Sequence, residues 1–408
     1  MTQAGSAADS SYAYVRLGAA LAIMTVGCSG MYVMAVALPQ LQTEFGVTRA
    51  DASLPYTLTM LAFALSGILL GRMADRFGVF VPLVIGAAAL GAGFVLAGLS
   101  PTLWQFTAAH SLLIGLGSSA TFGPLVADTS LWFHRRRGIA VAICASGNYL
   151  AGAVWPPIEQ HFFDTAGWRA TYIGTGIFCA VSIAILATLL RRRPPVLESS
   201  AAYAPSAAAS EHPLGMAPNT LMILLAVAGI GCCTAMSMPQ VHIVAYCGDL
   251  GYGAARGAEM LSLMLGFGIV SRLASGWISD RIGGLRTLLL GSALQAVALF
   301  LFLPFDGLAS LYVVSALFGL FQGGIVPAYA LIVREYFHPA QAGARVGIAL
   351  MATVFGMALG GWMSGAIFDL TGSYRAAFIN GIAFNFLNLA IVFWLLRRAR
   401  QRHALLAA

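Results

Sequence analysis

Residues 71–78 read Gly-Arg-Met-Ala-Asp-Arg-Phe-Gly, and residues 276–283 read Gly-Trp-Ile-Ser-Asp-Arg-Ile-Gly. Each stretch follows the second apolar run of its half of the chain. A second echo joins Trp-Arg-Ala-Thr-Tyr at 168–172 to Tyr-Arg-Ala-Ala-Phe at 374–378. Both pairs are about 205 residues apart and keep the same order, and such a fixed spacing indicates an internal duplication.

The composition around these repeats is that of a membrane protein. Of the 408 residues, 59% are hydrophobic and 9% are charged, whereas soluble chains carry about 25% charged residues. Twelve apolar runs approach or exceed the ~20 residues needed to cross the hydrocarbon, and each must be a helix because lipid offers no partners to the backbone. The runs lie at 15–38, 52–71, 79–99, 103–131, 139–161, 169–190, 220–247, 258–279, 286–304, 308–333, 343–368 and 375–396.

We therefore predict an all-α integral membrane protein with twelve transmembrane helices in two pseudo-symmetric six-helix bundles. The predicted domains are an N-terminal tail (1–14), a first bundle (15–190), a linker (191–219), a second bundle (220–396) and a C-terminal tail (397–408). The linker is basic at its start and then rich in Pro, Ala and Ser, which indicates a flexible segment.

The basic residues predict the orientation of these helices. All 22 are arginines, and only Arg49, Arg169, Arg256 and Arg375 lie in the loops of the sparsely charged side. Because arginine-rich loops stay in the cytoplasm, we expect both tails and the linker to be cytoplasmic, in the cell (inner) membrane. The net charge of +7 then reflects topology, so we expect no nucleic-acid partner.

Neither cysteine spacing nor any catalytic motif indicates an enzyme. The six cysteines lie in or beside apolar runs without CxxC spacing, which favours packing roles over metal or redox chemistry. We find no HExxH, P-loop or GxSxG motif. We therefore expect no catalytic residue, no metal ligand and no cofactor.

The chain resembles the major facilitator superfamily, in which a GxxxDRxG element marks the loop between helices two and three and a degenerate copy follows helix eight. The resemblance implies two six-helix bundles, a cavity at their interface and rocking between inward- and outward-facing states. It implies gating roles in these loops, although a tight, solvated turn is the alternative. The residues concerned are Gly71, Asp75, Arg76, Gly276, Asp280 and Arg281.

Three further residues belong to the same predicted gating layer. Asp128 and Glu335 lie near the cytoplasmic ends of predicted spans 4 and 10, at corresponding places in the two halves. We expect both carboxylates to pair with loop arginines. Arg137, in the arginine run that precedes predicted span 5, is placed in this layer too.

A narrower resemblance points to the monocarboxylate transporter and oxalate/formate antiporter branch. It rests on Trp-Phe-His-Arg-Arg-Arg-Gly-Ile-Ala at 132–140 and on Val-His-Ile-Val-Ala-Tyr at 241–246. In that branch the arginine of helix eight binds the anion, and Arg272 matches that position. The chain departs from the pattern where Gly268 replaces an acid, and predicted span 11 has no lysine as a second cation. The resemblance therefore favours a monocarboxylate over a dicarboxylate.

Arg272 also stands out by its position alone. It lies inside predicted span 8, ~12 Å from the helix end at Asp280. A cation at such a depth costs at least ~2.5 kcal/mol and almost always faces the protein interior or a water-filled cavity. Its planar guanidinium matches a carboxylate in bidentate geometry, so we predict that Arg272 binds the substrate. The alternatives are snorkelling to the interface and pairing with an internal acid.

Other polar residues inside predicted spans are candidates for lining the same cavity, with ordinary helix packing as the alternative for each. His242 is the predicted proton-coupling residue because histidine titrates near physiological pH, unless it is only a hydrogen-bonded side chain. For His110 we expect a packing role. The lining candidates are Tyr32, Asn148, Gln240, His242, Gln322 and Tyr329.

Together these patterns predict a secondary transporter that acts by alternating access. We expect proton-coupled symport of a small, lactate-like monocarboxylate, carried out by a monomer. The expected partners are the carboxylate, protons and the lipid bilayer. The alternative is an organic-anion exchanger or a drug/metabolite efflux transporter of the same fold.

Overall fold

The computed structural model describes residues 9–133, 135–193 and 213–407. Within these ranges the chain is helical almost throughout and contains no β-strand, as predicted. Parts of three predicted segments lie outside the described residues, namely 1–8 of the N-terminal tail, 194–212 of the linker and 408 of the C-terminal tail.

Twelve helical spans follow one another and are numbered here in chain order. Eleven of them are long and apolar enough to cross a membrane in the described part of the chain. The remaining one, helix 4, is built from the segments Leu103–Ala108, Ala109–Ile114, Gly115–Ala120 and Gly123–Trp132. The other helices, in order, are helix 1 (Ser11–Gly27 and Ser29–Phe45), helix 2 (Arg49–Phe77), helix 3 (Phe80–Leu99), helix 5 (Arg137–Ala166), helix 6 (Trp168–Ala187, continued by a 3₁₀ turn Thr188–Leu190), helix 7 (Pro218–Asp249), helix 8 (Ala254–Ile282), helix 9 (Gly284–Leu301), helix 10 (Leu308–Gln322 and Ile325–Tyr336), helix 11 (Pro339–Thr371) and helix 12 (Tyr374–Ala407).

Helix 1 begins at Ser11, before the predicted start of the first span at residue 15. The reason is a cap: the Ser10 hydroxyl accepts a hydrogen bond from the Ala13 N–H at 3.3 Å. Serine at this position satisfies a backbone donor that the helix itself leaves without a partner. The extra turn carries Arg16 into the helix.

Helices 4 and 10 are interrupted at corresponding places in the two repeats. Helix 4 leaves α-helical geometry at residues 121–122, and helix 10 does so at Gly323 and Gly324. A π-helical turn, Ala109–Ile114, also loosens helix 4. Interrupted spans in matching positions of two repeats are a strong pointer to the binding region of a transporter.

The duplication extends to the backbone conformation of the turns. Gly78 follows helix 2 with φ of 83°, and Gly283 follows helix 8 with φ of 81°. Gly167 and Gly372 end helices 5 and 11 with φ of 82° and 66°. Positive φ suits glycine because other residues place a Cβ against the backbone. Each pair is again about 205 residues apart, so both repeats use glycine for the same turns.

The chain divides into two compact units. Unit 1 comprises Met1–Glu198 and Val241–Gly266, and unit 2 comprises Ser199–Gln240 and Phe267–Ala408. Residues 241–266, which belong to the second repeat by sequence, therefore group with the first repeat. Helices 7 and 8 contribute to both units.

Small residues set the helix packing inside each unit. In unit 1, a Cβ atom added at Gly91 of helix 3 would lie 2.7 Å from Ala180 of helix 6. In unit 2, a Cβ added at Gly360 of helix 11 would overlap Thr234 and Ser237 of helix 7. Such close backbone approach is the usual way in which helices associate in lipid.

Candidate functional site

Arg272 lies on the turn of helix 8 that packs against the break in helix 10. Its side chain is half-buried, about 15 Å from the helix end at Ile282. A Cβ added at Gly323 would overlap the carbonyl oxygen of Gly268 and lie 3.1 Å from the backbone nitrogen of Arg272. Glycine at this break therefore lets helix 10 reach the turn that carries the cation.

A pair of glutamines adjoins the same break. Gln240 of helix 7 donates through Nε2 to Oε1 of Gln322 at 3.0 Å, and both side chains are buried. Gln322 directly precedes Gly323 in the chain. Its own Nε2 is buried and has no hydrogen-bond partner among the described residues. Unit 2 thus gathers three predicted binding residues around the helix 10 break and includes one unused amide donor.

Tyr32 and Asn148 meet inside unit 1. The Tyr32 hydroxyl donates to Oδ1 of Asn148 at 2.9 Å, and both residues are half-buried. A Cβ added at Gly152 would lie 2.9 Å from the Tyr32 ring and would overlap Leu265. Glycine in helix 5 therefore makes room for the tyrosine. The structure brings these two predicted lining residues into contact, as a polar pair on helices 1 and 5.

The remaining lining candidates lie inside packed protein. Tyr329 is fully buried and donates to Oδ1 of Asn388 at 2.9 Å, and the Asn388 amide donates to Ser292 at 2.7 Å. His242 is also fully buried, in the part of helix 7 that belongs to unit 1. The Tyr329 hydroxyl is therefore engaged by protein in this conformation. A substrate-binding role for either residue, and a proton-coupling role for His242, stay predictions.

The partner of Asp128 is Arg16 and not a loop arginine, so that prediction is wrong. The two groups form an ion pair at 2.6 Å, with side-chain exposures of 3% for Arg16 and 9% for Asp128. Arg16 also donates to the Arg192 carbonyl at 3.1 Å and lies 4.4 Å from the ring centre of Trp132. The physical reason is packing: Arg16 lies on a buried face of helix 1, which sequence alone does not reveal.

Glu335 does not pair with a loop arginine either, within the residues that the structure covers. Its carboxylate accepts hydrogen bonds from the Gly284 N–H at 2.9 and 3.2 Å, where helix 9 begins. A carboxylate suits a helix N-terminus because it satisfies a backbone donor and opposes the helix dipole. Arg137 instead donates to the Ser130 hydroxyl at 3.2 Å and is exposed.

The charged residues of the repeated loop signature are exposed, namely Asp75, Arg76, Asp280 and Arg281. The Arg281 guanidinium lies 3.6 Å from the ring centre of Trp277. At Gly71 and Gly276, no described neighbour comes within 4 Å of the place where a Cβ would stand. These two glycines therefore make no close helix contact among the described residues, and the gating role stays a prediction.

Two ion pairs were missed because their partners are far apart in the chain. Arg49, which is 8% exposed, pairs with Asp249 of helix 7, where Nη2 donates to Oδ1 at 3.1 Å. Arg169 binds Glu44 at 2.7 Å and also donates to the Gly98 carbonyl at 2.9 Å. The repeated Trp-Arg stretch at 168–169 was the available signal, but sequence alone names no partner.

Glu159 is a further residue that the sequence analysis missed. It lies in helix 5 after Pro156 and Pro157 and is 1% exposed. Neither carboxyl oxygen has a hydrogen-bond partner among the described residues. An acid inside an apolar run was the available signal. The predicted run 139–161 placed Glu159 near its end, whereas helix 5 continues to Ala166.

A sequence profile of the Major Facilitator Superfamily matches residues 19–309 and, in a second match, residues 260–407. The chain belongs to the Major Facilitator Superfamily. It is accordingly a multi-pass membrane transporter, and the predicted fold class is confirmed.

Relatives of this superfamily member include monocarboxylate transporters. Monocarboxylate transporter 13 of Rattus norvegicus is 29% identical over 306 residues, which cover 74% of this chain and 70% of that protein. The MFS-type transporter opdF of Penicillium oxalicum is 26% identical over 318 residues, covering 77% and 73%. The resemblance to the monocarboxylate branch of the superfamily is thus confirmed at the level of sequence.

A solved structure shows the same superfamily fold. A mutant of the nucleoside transporter NupG is 13% identical, with a TM-score of 0.73, and the match covers 94% of this chain and 99% of that one. At this level of identity the likeness is one of fold.

Proposed function

We propose that this major facilitator protein is a proton-coupled symporter of a small monocarboxylate, and that Arg272 binds the substrate carboxylate. The observation that carries the proposal is a permanent cation placed well inside helix 8, on the turn packed against the helix 10 break. A charge at this depth is costly, so a role that requires it is expected. Binding of an organic anion is such a role.

The groups beside Arg272 suit a carboxylate. A guanidinium presents two parallel N–H donors that match the two oxygens of a carboxylate. Gln322, next to the break, holds a buried amide donor without a partner in the described chain. We propose that Gln322 and Gln240 complete the site in unit 2, and the lining role of Tyr32 and Asn148 stays a separate prediction.

The charge count favours a substrate with one negative charge. Arg272 is the single basic residue well inside the predicted spans of the second repeat, and helix 11 carries no lysine there. This one cation balances one carboxylate, whereas a dicarboxylate would bring a second negative charge into a medium of low dielectric. The relative named monocarboxylate transporter 13 supports the same substrate class.

We propose further that both termini face the cytoplasm, in the cell (inner) membrane, and that the two six-helix repeats alternate access to the site. The distribution of arginines between loops supports this orientation. The loop signature and the layer of Asp128, Arg137 and Glu335 would then lie on the cytoplasmic side. There, the Arg16–Asp128 ion pair would hold the cytoplasmic end of the first repeat together.

The experiment is uptake of a panel of labelled carboxylates into proteoliposomes, with and without an inward proton gradient. Wild type is compared with Arg272→Ala, Arg272→Lys and the matched control Arg256→Ala. Arg256 is on the same helix, exposed and paired with Glu259 at 3.0 Å, so its loss removes an arginine without touching the site. Removing one partner of a buried charge pair costs about 2–5 kcal/mol, which predicts a loss of binding of roughly 30-fold or more for Arg272→Ala.

Arg272→Lys should keep partial activity, because the charge remains but the two-pronged geometry is lost. Normal saturable uptake by Arg272→Ala would overturn the role of this arginine. Uptake that ignores the proton gradient but requires an internal anion would replace symport with the organic-anion exchanger. Absence of carboxylate uptake, together with extrusion of a larger apolar compound, would identify an efflux transporter.

A further inference from the structure

Glu159 is the most completely buried acid in the described part of unit 1, and the transport scheme above does not use it. Its side chain is 1% exposed, and both carboxyl oxygens are enclosed without a hydrogen-bond partner among the described residues. Structural buried carboxylates are normally paired or multiply hydrogen-bonded, as Asp128 is. A carboxyl without such partners in a packed bundle needs another explanation.

The surroundings of Glu159 are apolar and aromatic. Tyr172 and Cys179 of helix 6 lie within electrostatic range of the carboxyl, and both are fully buried. The Tyr172 ring packs against two other rings. The distance between ring centres is 6.2 Å to Phe163 of helix 5 and 6.0 Å to His110 of helix 4. His110 bonds to the Thr59 hydroxyl at 3.0 Å, as its expected packing role requires.

Few charged or titratable groups face this carboxyl. The titratable groups near it are Tyr172 and Cys179 on helix 6. On helix 4, His110 packs against Tyr172. Helix 1 carries no charged residue between Arg16 and Glu44. On helix 5 itself, His161 and Asp164 are exposed. The segment 241–266 contacts helix 5 through Ser262, whose hydroxyl donates to the Ala153 carbonyl. The titratable or charged residues of this segment are His242, Tyr246, Cys247, Asp249, Tyr252, Arg256 and Glu259.

Two prolines weaken the backbone hydrogen bonding of helix 5 just before Glu159. Pro156 and Pro157 remove two backbone donors from the preceding turn, which weakens the helix ladder there. An ionised carboxylate taken out of water without a partner costs several kcal/mol. A conformational change that admits water to this turn would therefore strongly alter whether the carboxyl holds a proton.

We propose that Glu159 is the proton-binding site of the transport cycle. This rests on the proposed proton-coupled symport. In the loaded state an O–H bond joins the proton to a Glu159 carboxyl oxygen, while the substrate stays an anion on Arg272. When the site opens to the other side, that O–H bond breaks, the proton passes to water and the carboxylate substrate leaves. One proton and one monocarboxylate thus move together, the proton neutralising the Glu159 carboxylate and the substrate neutralising Arg272.

The test compares Glu159→Gln, Glu159→Asp, His242→Gln and the matched control Asp164→Asn in proteoliposomes. Asp164 lies on the same helix and is exposed. For a one-to-one symporter, an inward gradient of one pH unit drives about tenfold accumulation of the substrate. We expect Glu159→Gln to lose this accumulation while it still exchanges internal for external substrate, because an amide cannot carry the proton. Glu159→Asp and Asp164→Asn should accumulate substrate.

Proton movement is measured directly with a pH-sensitive dye inside the liposomes. Substrate entry should acidify the lumen with wild type and not with Glu159→Gln. Exchange activity of Glu159→Gln shows that it is folded, and if that variant does not assemble, the pH profile of Glu159→Asp takes its place. A profile that shifts from wild type supports the role, and an unchanged profile contradicts it.

The outcomes separate this inference from the function on which it rests. If wild type accumulates substrate with protons and Glu159→Gln does so equally, or if His242→Gln alone uncouples, the Glu159 assignment falls and symport stands. If wild type exchanges carboxylates without any proton dependence, coupling itself fails, and Glu159 with it. If wild type moves no carboxylate, the proposed substrate class is wrong.

Discussion

In the first repeat Glu159 precedes Gly167, the glycine that ends helix 5, and in the second repeat Ser364 stands at the same distance before Gly372, which ends helix 11. Both side chains are buried, with exposures of 1% and 2%. Ser364 satisfies itself by donating to the Gly360 carbonyl at 2.7 Å, whereas Glu159 has no hydrogen-bond partner in the described residues. The same place thus holds an acid in one repeat and a neutral residue in the other.

The converse holds on helices 2 and 8. Arg272 precedes Gly283 at the distance at which Gly67 precedes Gly78. The two repeats share their turns and helix order but differ at these two positions, where Glu159 occurs only in the first repeat and Arg272 only in the second.

The largest difference in stability is expected between alanine variants of the corresponding acids Asp128 and Glu335. Asp128→Ala leaves Arg16 buried without its partner, which should cost about 3–5 kcal/mol. Glu335→Ala removes only a helix cap and should cost about 0.5–2 kcal/mol. Thermal unfolding in detergent should therefore show a much larger fall in Tm for Asp128→Ala.

A double variant provides the control for this pair. Replacing both members, as Arg16→Met with Asp128→Leu, removes the buried charge altogether and should recover much of the lost stability. Equal losses of Tm for Asp128→Ala and Glu335→Ala would mean that the two carboxylates are equivalent after all.

A smaller difference in stability and uptake is expected between alanine variants of Gly323 and Gly67. Gly323→Ala forces a methyl group into the Gly268 carbonyl, and overpacking of this kind costs about 1–3 kcal/mol. Gly67→Ala meets only the Ser119 hydroxyl at 3.2 Å, which can move aside. We expect Gly323→Ala to lower both Tm and carboxylate uptake, while Gly67→Ala changes either measurement little. Normal uptake by Gly323→Ala would show that the close contact beside Arg272 is dispensable.

The smallest effect is expected for Ser364→Ala, the neutral counterpart of Glu159. It removes one hydrogen bond within helix 11, worth about 0.5–1.5 kcal/mol. Its proton-driven accumulation should match that of wild type when uptake is measured over a range of external pH. A pH dependence altered as much as by Glu159→Gln would show that the two positions share a role.

Most of the fold could be predicted from the sequence, because lipid imposes the strongest of constraints. Apolar runs of spanning length must be helices, and the repeated loop signature at 71–78 and 276–283 gives their order and pairing. The ends of the helices were predicted less accurately than their order. The start of helix 1 depends on the Ser10 cap, and a cap is decided by local geometry that an apolar run does not reveal.

The site was predicted less completely, for a physical reason. Arg272 could be found alone, because the cost of a cation in a span is a property of one residue. Arg16 and Asp128 are separated by 112 residues, and their pairing is a property of helix packing. Glu159 falls between these cases, since its position in an apolar run was visible but its lack of a hydrogen-bond partner among the described residues was not.

The interruptions of helices 4 and 10 have a mechanical consequence. Each interruption divides a span into two helical segments. The backbone hydrogen bonds are broken between them, so the second segment can tilt relative to the first. Those second segments, Gly123–Trp132 and Ile325–Tyr336, are the ones that bear Asp128 and Glu335. Each carboxylate holds its short segment through one contact, Asp128 to Arg16 and Glu335 to the start of helix 9. Losing that contact would therefore loosen the segment on the far side of the break before it loosened the rest of the bundle.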